Sequence, residues 1–167
     1  MEIKKGKIED VKVIMNIIKD AIIDMESEEM YQWDDIYPNE EVITNDINSE
    51  NLYVYIDECV IKGFVVLNEC QDKAYESISW EYNNGKHLVI HRLCISPKYK
   101  GQGIATTLIR YIEKLGQENK YESIRLDAFS KNSRACKLYE KNGYNIRGIV
   151  TFRKGDFFCF EKALQKR

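Results

Sequence analysis

The sequence predicts an α/β fold in which a mixed, mostly antiparallel sheet carries helices on both faces. Apolar residues near the N-terminus recur every three or four positions, as in amphipathic helices. The middle of the chain contains short apolar runs separated by turns, and strands then alternate with helices toward the C-terminus. A chain of 167 residues can bury one core, so we expect a single domain over residues 1–167.

Two helices are predicted before the first strands. The apolar positions of the first helix are Ile8, Val11, Met15, Ile18, Ile22 and Met25. Their spacing of three and four residues places them on one helix face. Pro38 followed by Asn39 predicts the start of a second helix, which runs to about Asn48.

Four segments in the middle of the chain have strand character. Leu52–Ile56 and Val60–Leu67 flank a short polar turn, which indicates a hairpin. Tyr75–Tyr82 alternates between apolar and polar residues and ends at an Asn-Asn-Gly turn signal. Leu88–Ile95 is almost continuously apolar, as expected for a buried strand.

Helices and strands alternate in the last third of the chain. A glycine-rich turn, Lys100–Gly103, opens a helix, and Ile124–Ala128 follows as a strand. A short helix around Ala135–Tyr139 precedes two last strands, Asn145–Phe152 and Phe157–Lys162. This order indicates strand–helix–strand crossovers after the antiparallel strands, and hence a mixed sheet.

Composition and charge exclude several classes of function. The chain has 25 basic and 27 acidic residues and a formal net charge of −2, so we expect no nucleic-acid partner. It shows no signal-peptide pattern and no apolar run near the roughly 18 residues of a membrane span, so we expect no membrane association. The five cysteines are scattered and odd in number, which suits free thiols and predicts a cytoplasmic location.

The segment from Ile90 to Ala105 combines a buried strand, a tight glycine turn and a helix N-terminus. Glycine lets the backbone bend and lets a ligand approach without meeting a Cβ atom. The first amides of a helix lack intrahelical partners, so together with Lys100 they can bind a pyrophosphate. The pattern also fits an ordinary strand-to-helix connection. It does not fit a P-loop, which needs lysine and Ser/Thr after Gly103, nor a dinucleotide fingerprint, which needs glycine at Thr106.

Two motifs make the chain resemble the GNAT superfamily of acetyl-CoA-dependent N-acetyltransferases. The family signature is Arg or Gln, two residues, Gly, one residue, then Gly or Ala. Lys100, Gly103 and Ala105 occupy those positions, with lysine in place of the usual first residue. The family's second conserved region is matched by Asn132, Ala135, Tyr139 and Gly143-Tyr144. The order of elements is similar along essentially the whole chain.

The resemblance implies that acetyl-CoA is the co-substrate. The implied cofactor-binding residues are Leu93, Cys94, Ile95, Lys100, Gly101, Gln102, Gly103, Ile104, Ala105, Thr106, Asn132, Ala135 and Tyr139. The backbone of Leu93 would bind the acetyl carbonyl, and that of Ile95 the pantetheine arm beside a splayed sheet. The amides from Gln102 to Ala105 would bind the pyrophosphate. Tyr139 would protonate the departing thiolate, since a phenol with a pKa of about 10 is protonated at neutral pH; the alternative is a core aromatic.

The proton acceptor for the amine is predicted on the strand before the glycine turn. The carboxylate that many family members use there has no counterpart, because Val89 stands in its place. His91 resembles a histidine of arylalkylamine acetyltransferases, and imidazole titrates near neutrality; Glu81 is the second candidate. The alternatives are a structural histidine and a solvated strand carboxylate. We expect no metal site, because His87 and His91 lie about 13 Å apart along a strand and Cys94 points to the opposite face.

The acceptor is expected over the connection between the first two helices. That connection carries the candidate substrate-binding residues Tyr31, Trp33, Asp34 and Tyr37. Aromatic rings and carboxylates suit a cationic amine. The same residues could instead pin the loop to the domain.

Three functions remain open from the sequence. The first is transfer of an acetyl group to a primary amine of a small molecule, by direct attack in a ternary complex. The second is acetylation of protein N-termini or lysines, and the third is a non-catalytic CoA-binding regulatory module. A homodimer interface or a completed core would each account for the apolar last hairpin, with Ile149, Val150, Phe152, Phe157, Phe158 and Phe160.

Overall fold

The computed structural model describes residues 1–164, which contain four α-helices and seven β-strands. The helices are α1 (Val11–Ser27), α2 (Glu40–Asn48), α3 (Ile104–Glu118) and α4 (Ser133–Lys141). The strands are β1 (Glu2–Lys5), β2 (Leu52–Asp57), β3 (Val60–Asn68), β4 (His87–Ile95), β5 (Ser123–Phe129), β6 (Asn145–Phe152) and β7 (Gly155–Ala163).

The chain folds into two compact units. The first contains residues 1–67 and 92–108, and the second contains residues 68–91 and, among the described residues, 109–164. Both β4 and α3 contribute residues to each unit. A single domain over residues 1–167 stays a prediction.

In the first unit, aliphatic side chains pack α1 and α2 against the strands. β1 and β3 both pair antiparallel with β2, and Leu52 lies opposite Val66. The fully buried core residues of this unit include Ile14, Ile18, Ile43, Leu52, Val54, Phe64 and Val66. Asn39 begins α2 as its N-cap, because its Oδ1 accepts a hydrogen bond from the Val42 amide at 3.0 Å.

In the second unit, β5 has one parallel and one antiparallel neighbour. The start of β4 pairs with β5 in parallel, from His87 opposite Ser123 to Ile90 opposite Leu126. β7 pairs antiparallel with both β5 and β6. Hydrogen-bonded neighbours along the whole sheet follow the order β1-β2-β3-β4-β5-β7-β6, which confirms the predicted mixed, mostly antiparallel sheet.

The pairing of β4 with β5 ends before either strand ends. Ile90 and Leu126 form its last pair, whereas β4 continues to Ile95 and β5 to Phe129. The two strands therefore stop sharing hydrogen bonds in the middle of the sheet, as the resemblance implied for a splayed sheet.

One predicted strand is wrong and one strand is absent from the prediction. In place of the strand Tyr75–Tyr82, Lys73–Ser77 forms a 3-10 turn, and the residues from there to Lys86 lie outside helices and strands. The apolar alternation reflects packing of aromatic rings: the centroids of Tyr75 and Trp80 are 5.2 Å apart, and Trp80 Nε1 donates to the Tyr75 carbonyl at 2.9 Å. β1 has only four residues, too few to show the alternation of apolar and polar residues that predicts a strand. It forms by pairing antiparallel with the edge of β2.

Half of the six apolar residues predicted to form an interface or complete the core in the last hairpin are buried. Val150, Phe157 and Phe160 are buried, whereas Ile149 on β6 is 55% exposed. A homodimer stays a prediction. Within residues 1–164, no helix is long and apolar enough to cross a membrane.

Candidate active site

The glycine turn before α3 has the backbone geometry of a phosphate-binding loop. Gly101 and Gly103 have φ values of +76° and +77°, a region that glycine adopts without strain. A Cβ atom added at either position would have no neighbour within 4 Å, so the loop backbone is open to an approaching ligand. The Thr107 amide donates to the Gly103 carbonyl at 3.0 Å, which is the first hydrogen bond of the helical repeat. The amides just before it are those that a helix N-terminus presents to an anion.

Lys100, the cation expected beside this turn, forms an ion pair with Asp24 of α1. Both side chains are about one-third exposed, at 35% and 31%. The pair holds the lysine at the turn, and its exposure lets a phosphate compete for the ammonium group.

The β4 residues expected to face acetyl-CoA differ in burial. Leu93 and Ile95 are half-buried, and both follow the last residue of β4 that pairs with β5. Cys94 is buried, and burial raises the pKa of its thiol to about 12 although Lys100 acts to lower it. The thiol is therefore neutral at pH 7 and poorly suited to act as a nucleophile, which favours direct transfer over an acetyl-cysteine intermediate.

Tyr139 lies on α4 with its ring in the core of the second unit. The side chain is 6% exposed, and its centroid lies 5.8 Å from that of Tyr144 and 5.7 Å from that of Phe160. Burial, with a smaller effect from the charge of Asp127, raises the pKa of this phenol above its usual value. Asn132 caps the same helix through an Oδ1 that accepts from the Ala135 amide at 3.1 Å.

His91 is exposed, and its ring is oriented by Asn68 at the end of β3. Nε2 of His91 lies 2.5 Å from Asn68 Oδ1, an oxygen that also accepts the Cys70 amide at 2.8 Å. Because this oxygen is only an acceptor, Nε2 carries the proton and Nδ1 is the nitrogen that can accept one.

Glu81 lies outside the strands, in the segment that replaces the predicted Tyr75–Tyr82 strand. Its carboxylate forms an ion pair with Arg147 of β6. Its amide donates to Glu161 Oε1 at 2.9 Å, which fixes the segment on β7.

The candidate substrate-binding residues occupy the loop between α1 and α2, and they divide into two groups. Asp34 and Trp33 hold the loop: Asp34 Oδ1 accepts the Ile36 and Tyr37 amides at 3.0 Å each, and Trp33 packs on the core. Tyr31 and Tyr37 are exposed, at 56% and 39%. The two tyrosines are therefore the residues of this group that an acceptor can contact.

Sequence reasoning misses Arg92 and Asp46, which connect this loop to β4. The Arg92 guanidinium binds both carboxylate oxygens of Asp46 on α2, with Nη2–oxygen distances of 2.6 Å, and also donates to the Tyr37 hydroxyl. Desolvation raises the pKa of Asp46, and its bonds to Arg92 oppose this. A charged residue in an otherwise apolar strand was the only signal of this network in the sequence.

Asp127 is a second residue that the sequence analysis misses. It interrupts the apolar strand β5, is half-buried, and its Oδ2 accepts the Tyr75 hydroxyl at 2.6 Å. No group of three or more His, Cys, Asp or Glu side chains within residues 1–164 is placed to hold a metal ion.

Comparison with known proteins identifies the family. The Acetyltransferase (GNAT) family profile matches residues 19–144, most of the chain. Streptothricin acetyltransferase of Escherichia coli is 33% identical over 63 residues, which are 38% of this chain and 36% of the relative. The L-amino acid N-acetyltransferase AaaT of Escherichia coli K12 is 29% identical over 75 residues, 42% of this chain and 46% of the relative. The chain thus matches less than half the length of either enzyme.

Solved structures extend the likeness to the whole fold. An acetyltransferase of the GNAT family from Streptococcus agalactiae is 25% identical, with a TM-score of 0.86 over 99% of this chain and 96% of that one. The PaiA N-acetyltransferase of Thermoplasma acidophilum, solved with coenzyme A, shares the fold at 19% identity, with a TM-score of 0.74 over 97% of this chain and 98% of that one. The chain therefore belongs to the GNAT family of acetyl-CoA-dependent N-acetyltransferases.

Proposed function

We propose that this protein transfers the acetyl group of acetyl-CoA to a primary amine of a small molecule, by direct attack in a ternary complex. The names of two relatives, streptothricin acetyltransferase and L-amino acid N-acetyltransferase, support a small-molecule acceptor. The neutral, buried Cys94 supports direct attack rather than a covalent enzyme intermediate.

The observation that carries the proposal is the set of hydrogen bonds that hold the α1–α2 loop in place. Within the loop, Asp34 Oδ1 accepts the Tyr37 amide. Arg92 of β4 donates both to the Tyr37 hydroxyl and to the Asp46 carboxylate of α2. A peptide substrate needs an open groove in which its backbone can extend. A loop held at several points forms instead a fixed wall, as a pocket for a small acceptor requires.

Each chemical step has a residue of this chain assigned to it in the proposal. The backbone N–H of Leu93 donates to the acetyl carbonyl oxygen as the amine nitrogen attacks the carbonyl carbon. The new C–N bond forms, the C–S bond breaks, and Tyr139 gives its phenolic proton to the departing thiolate. The amine proton passes to Nδ1 of His91. Glu81 stays the second candidate to accept this proton, although its carboxylate forms an ion pair with Arg147.

The glycine turn serves to bind the co-substrate in this proposal. The amides from Gln102 to Ala105 hold the pyrophosphate, and Lys100 exchanges Asp24 for a phosphate oxygen. Asn132 contacts the pantetheine or phosphate region of the co-substrate in this proposal, with Ala135 beside it. Asn132 also caps α4, the helix that carries Tyr139.

Cellular location and assembly are part of the same proposal. All five cysteines are free, which supports a reducing, cytoplasmic location. On β6, Ile146 and Ile149 are 42% and 55% exposed and would lie in the interface of a homodimer.

The test is acetyl transfer to a pooled set of primary amines and short peptides, followed by mass spectrometry. Unchanged protein would be compared with Tyr139→Phe and His91→Ala. We expect an acetylated small amine that decreases strongly with Tyr139→Phe, and a loss with His91→Ala that high pH partly restores because the amine is then already neutral.

The other outcomes are equally informative. Acetylated peptides without acetylated small amines would replace the proposal with a protein acetyltransferase. Tight CoA binding with no product, and no effect of Tyr139→Phe on that binding, would indicate the regulatory module.

A further inference from the structure

Asp127 is a half-buried carboxylate that lacks a cationic partner within residues 1–164. Its Oδ2 accepts a hydrogen bond from the Tyr75 hydroxyl at 2.6 Å. Its other electrostatic neighbours are Tyr139 and Cys159, which are neutral at pH 7, and the acidic Asp72. Over the described part of the chain, residues 1–164, no cationic side chain therefore pairs with Asp127.

An uncompensated carboxylate in this position costs folding free energy. Burial raises the pKa of Asp127, opposed by the Tyr75 hydrogen bond. Buried ions are usually paired, because desolvation of a single charge is unfavourable. Departures from this rule concentrate at functional sites, where a ligand supplies the missing partner.

The position of Asp127 in the sheet points to the acceptor. Asp127 follows Leu126, the last β5 residue that pairs with β4, and His91 is the corresponding next residue on β4. His87 and Ser123, four residues earlier on the two strands, face each other with Nδ1 and Oγ 2.8 Å apart. Because side chains alternate along a strand, His91 and Asp127 are expected on that same face, beside the point where the pairing ends.

A cavity bordered by Tyr75, the residue that donates to Asp127, has room for the remainder of a small acceptor. It has a volume of about 460 Å³, and Asp72, Glu76, Ile78 and Trp80 also line it. Arg125 also borders it, with its guanidinium carbon 4.4 Å from the centroid of the Trp80 ring and its charge paired with the buried Glu161 at 2.9 Å. The aromatic rings, together with the acidic residues Asp72 and Glu76, suit a ligand with an apolar body and a positive charge.

We propose that Asp127 binds the acceptor as an ammonium ion, with the Tyr75 hydroxyl holding the carboxylate in place, so that the enzyme selects alkyl or aralkyl amines that are protonated in solution. This inference rests on the proposed function and adds the substrate class. The ammonium group docks on Asp127 and gives one proton to Nδ1 of His91, and the exposed His91 releases that proton to solvent. The neutral nitrogen then attacks, and its second proton passes to the regenerated His91 as described above.

The first experiment measures binding without turnover, in the presence of coenzyme A. Isothermal titration calorimetry of the unchanged protein would follow binding of benzylammonium chloride and of the uncharged analogue benzyl alcohol. We expect a saturable response to benzylammonium, and affinity about ten-fold weaker in Asp127→Asn, the ratio for loss of one charge-assisted hydrogen bond.

Matched controls separate this role from a structural one. Asp127→Asn keeps an acceptor for the Tyr75 hydroxyl and should melt no lower than the unchanged protein. Asp156→Asn, at the exposed start of β7, should bind benzylammonium normally. No saturable response in the unchanged protein, equal affinity in Asp127→Asn, or equally tight binding of benzyl alcohol would overturn the inference.

Turnover then distinguishes the two proposals. For an amine found in the pooled assay, Asp127→Asn should raise KM for the amine about ten-fold and leave KM for acetyl-CoA unchanged. An unchanged amine KM would overturn the role of Asp127 while acetyl transfer stands. Asp127-dependent benzylammonium binding in a protein that acetylates no amine would instead contradict the proposed function alone.

Discussion

Tyr139 is a phenol whose surroundings keep it protonated. Burial raises its pKa, so neutral phenol remains the dominant form above the pH at which an exposed tyrosine ionises. If it protonates the thiolate, Tyr139→Phe should lower kcat by about 10²–10³-fold and leave KM for acetyl-CoA nearly unchanged. Steady-state kinetics would check this, with Tyr144→Phe as a control from the same aromatic cluster. An equal loss in both variants would assign Tyr139 to packing.

The charge of Asp127 makes a testable prediction about stability. Its raised folded pKa means that the folded state holds the proton more tightly, so this group stabilises the fold at low pH. That contribution is lost as the pH rises through the folded pKa. Asp127→Asn, which is always neutral, should therefore be as stable as or more stable than the unchanged protein at about pH 7, with no gain below about pH 3.5. Urea unfolding at several pH values measures the difference; a variant less stable at neutral pH would contradict the expectation.

Among the elements, the turn into α3 depends on two left-handed glycines. Gly103→Ala places a Cβ in the open space beside the turn, where we propose that the pyrophosphate binds, and costs about 1–2 kcal/mol of backbone strain. We expect KM for acetyl-CoA to rise at least about ten-fold, since an amide contact is lost or displaced. Gly143→Ala, at φ +89° with only the flexible Lys162 nearby, carries similar strain and should leave this KM unchanged. Equal effects of the two changes would show that strain alone is responsible.

The link between β4 and α2 depends on one ion pair. Arg92 and Asp46 have side chains only 11% and 12% exposed. Arg92→Met leaves Asp46 buried without its cation and should lower the free energy of unfolding by about 3–5 kcal/mol. The double variant with Asp46→Asn should recover part of this loss, which urea unfolding would show as coupling between the sites. Lys114→Met, from an ion pair exposed at 77% and 62%, should have little effect.

For the whole molecule, co-substrate binding should appear as thermal stabilisation. A ligand that binds only the folded state, at about 100 times its Kd, adds roughly 2.7 kcal/mol to the free energy of unfolding. For a chain of this length that corresponds to an increase of about 5–10 °C in Tm. Calorimetry with and without coenzyme A measures the shift. Gly103→Ala should reduce it, and an unchanged Tm in the unchanged protein would contradict the assignment of the co-substrate.

Local sequence patterns were enough to predict the fold class, the glycine turn and the helix that carries Tyr139. These features depend on local periodicity and on residues such as Gly103, whose left-handed φ few other residues tolerate. Which distant side chains meet became visible in the folded chain alone. Tyr75 and Asp127 are 52 positions apart, and Arg92 and Asp46 are 46 apart. Such contacts arise when strands and loops pack. The segment around Tyr75 alternates like a strand, yet it forms a 3-10 turn whose Tyr75 side chain packs on β5 and donates to Asp127.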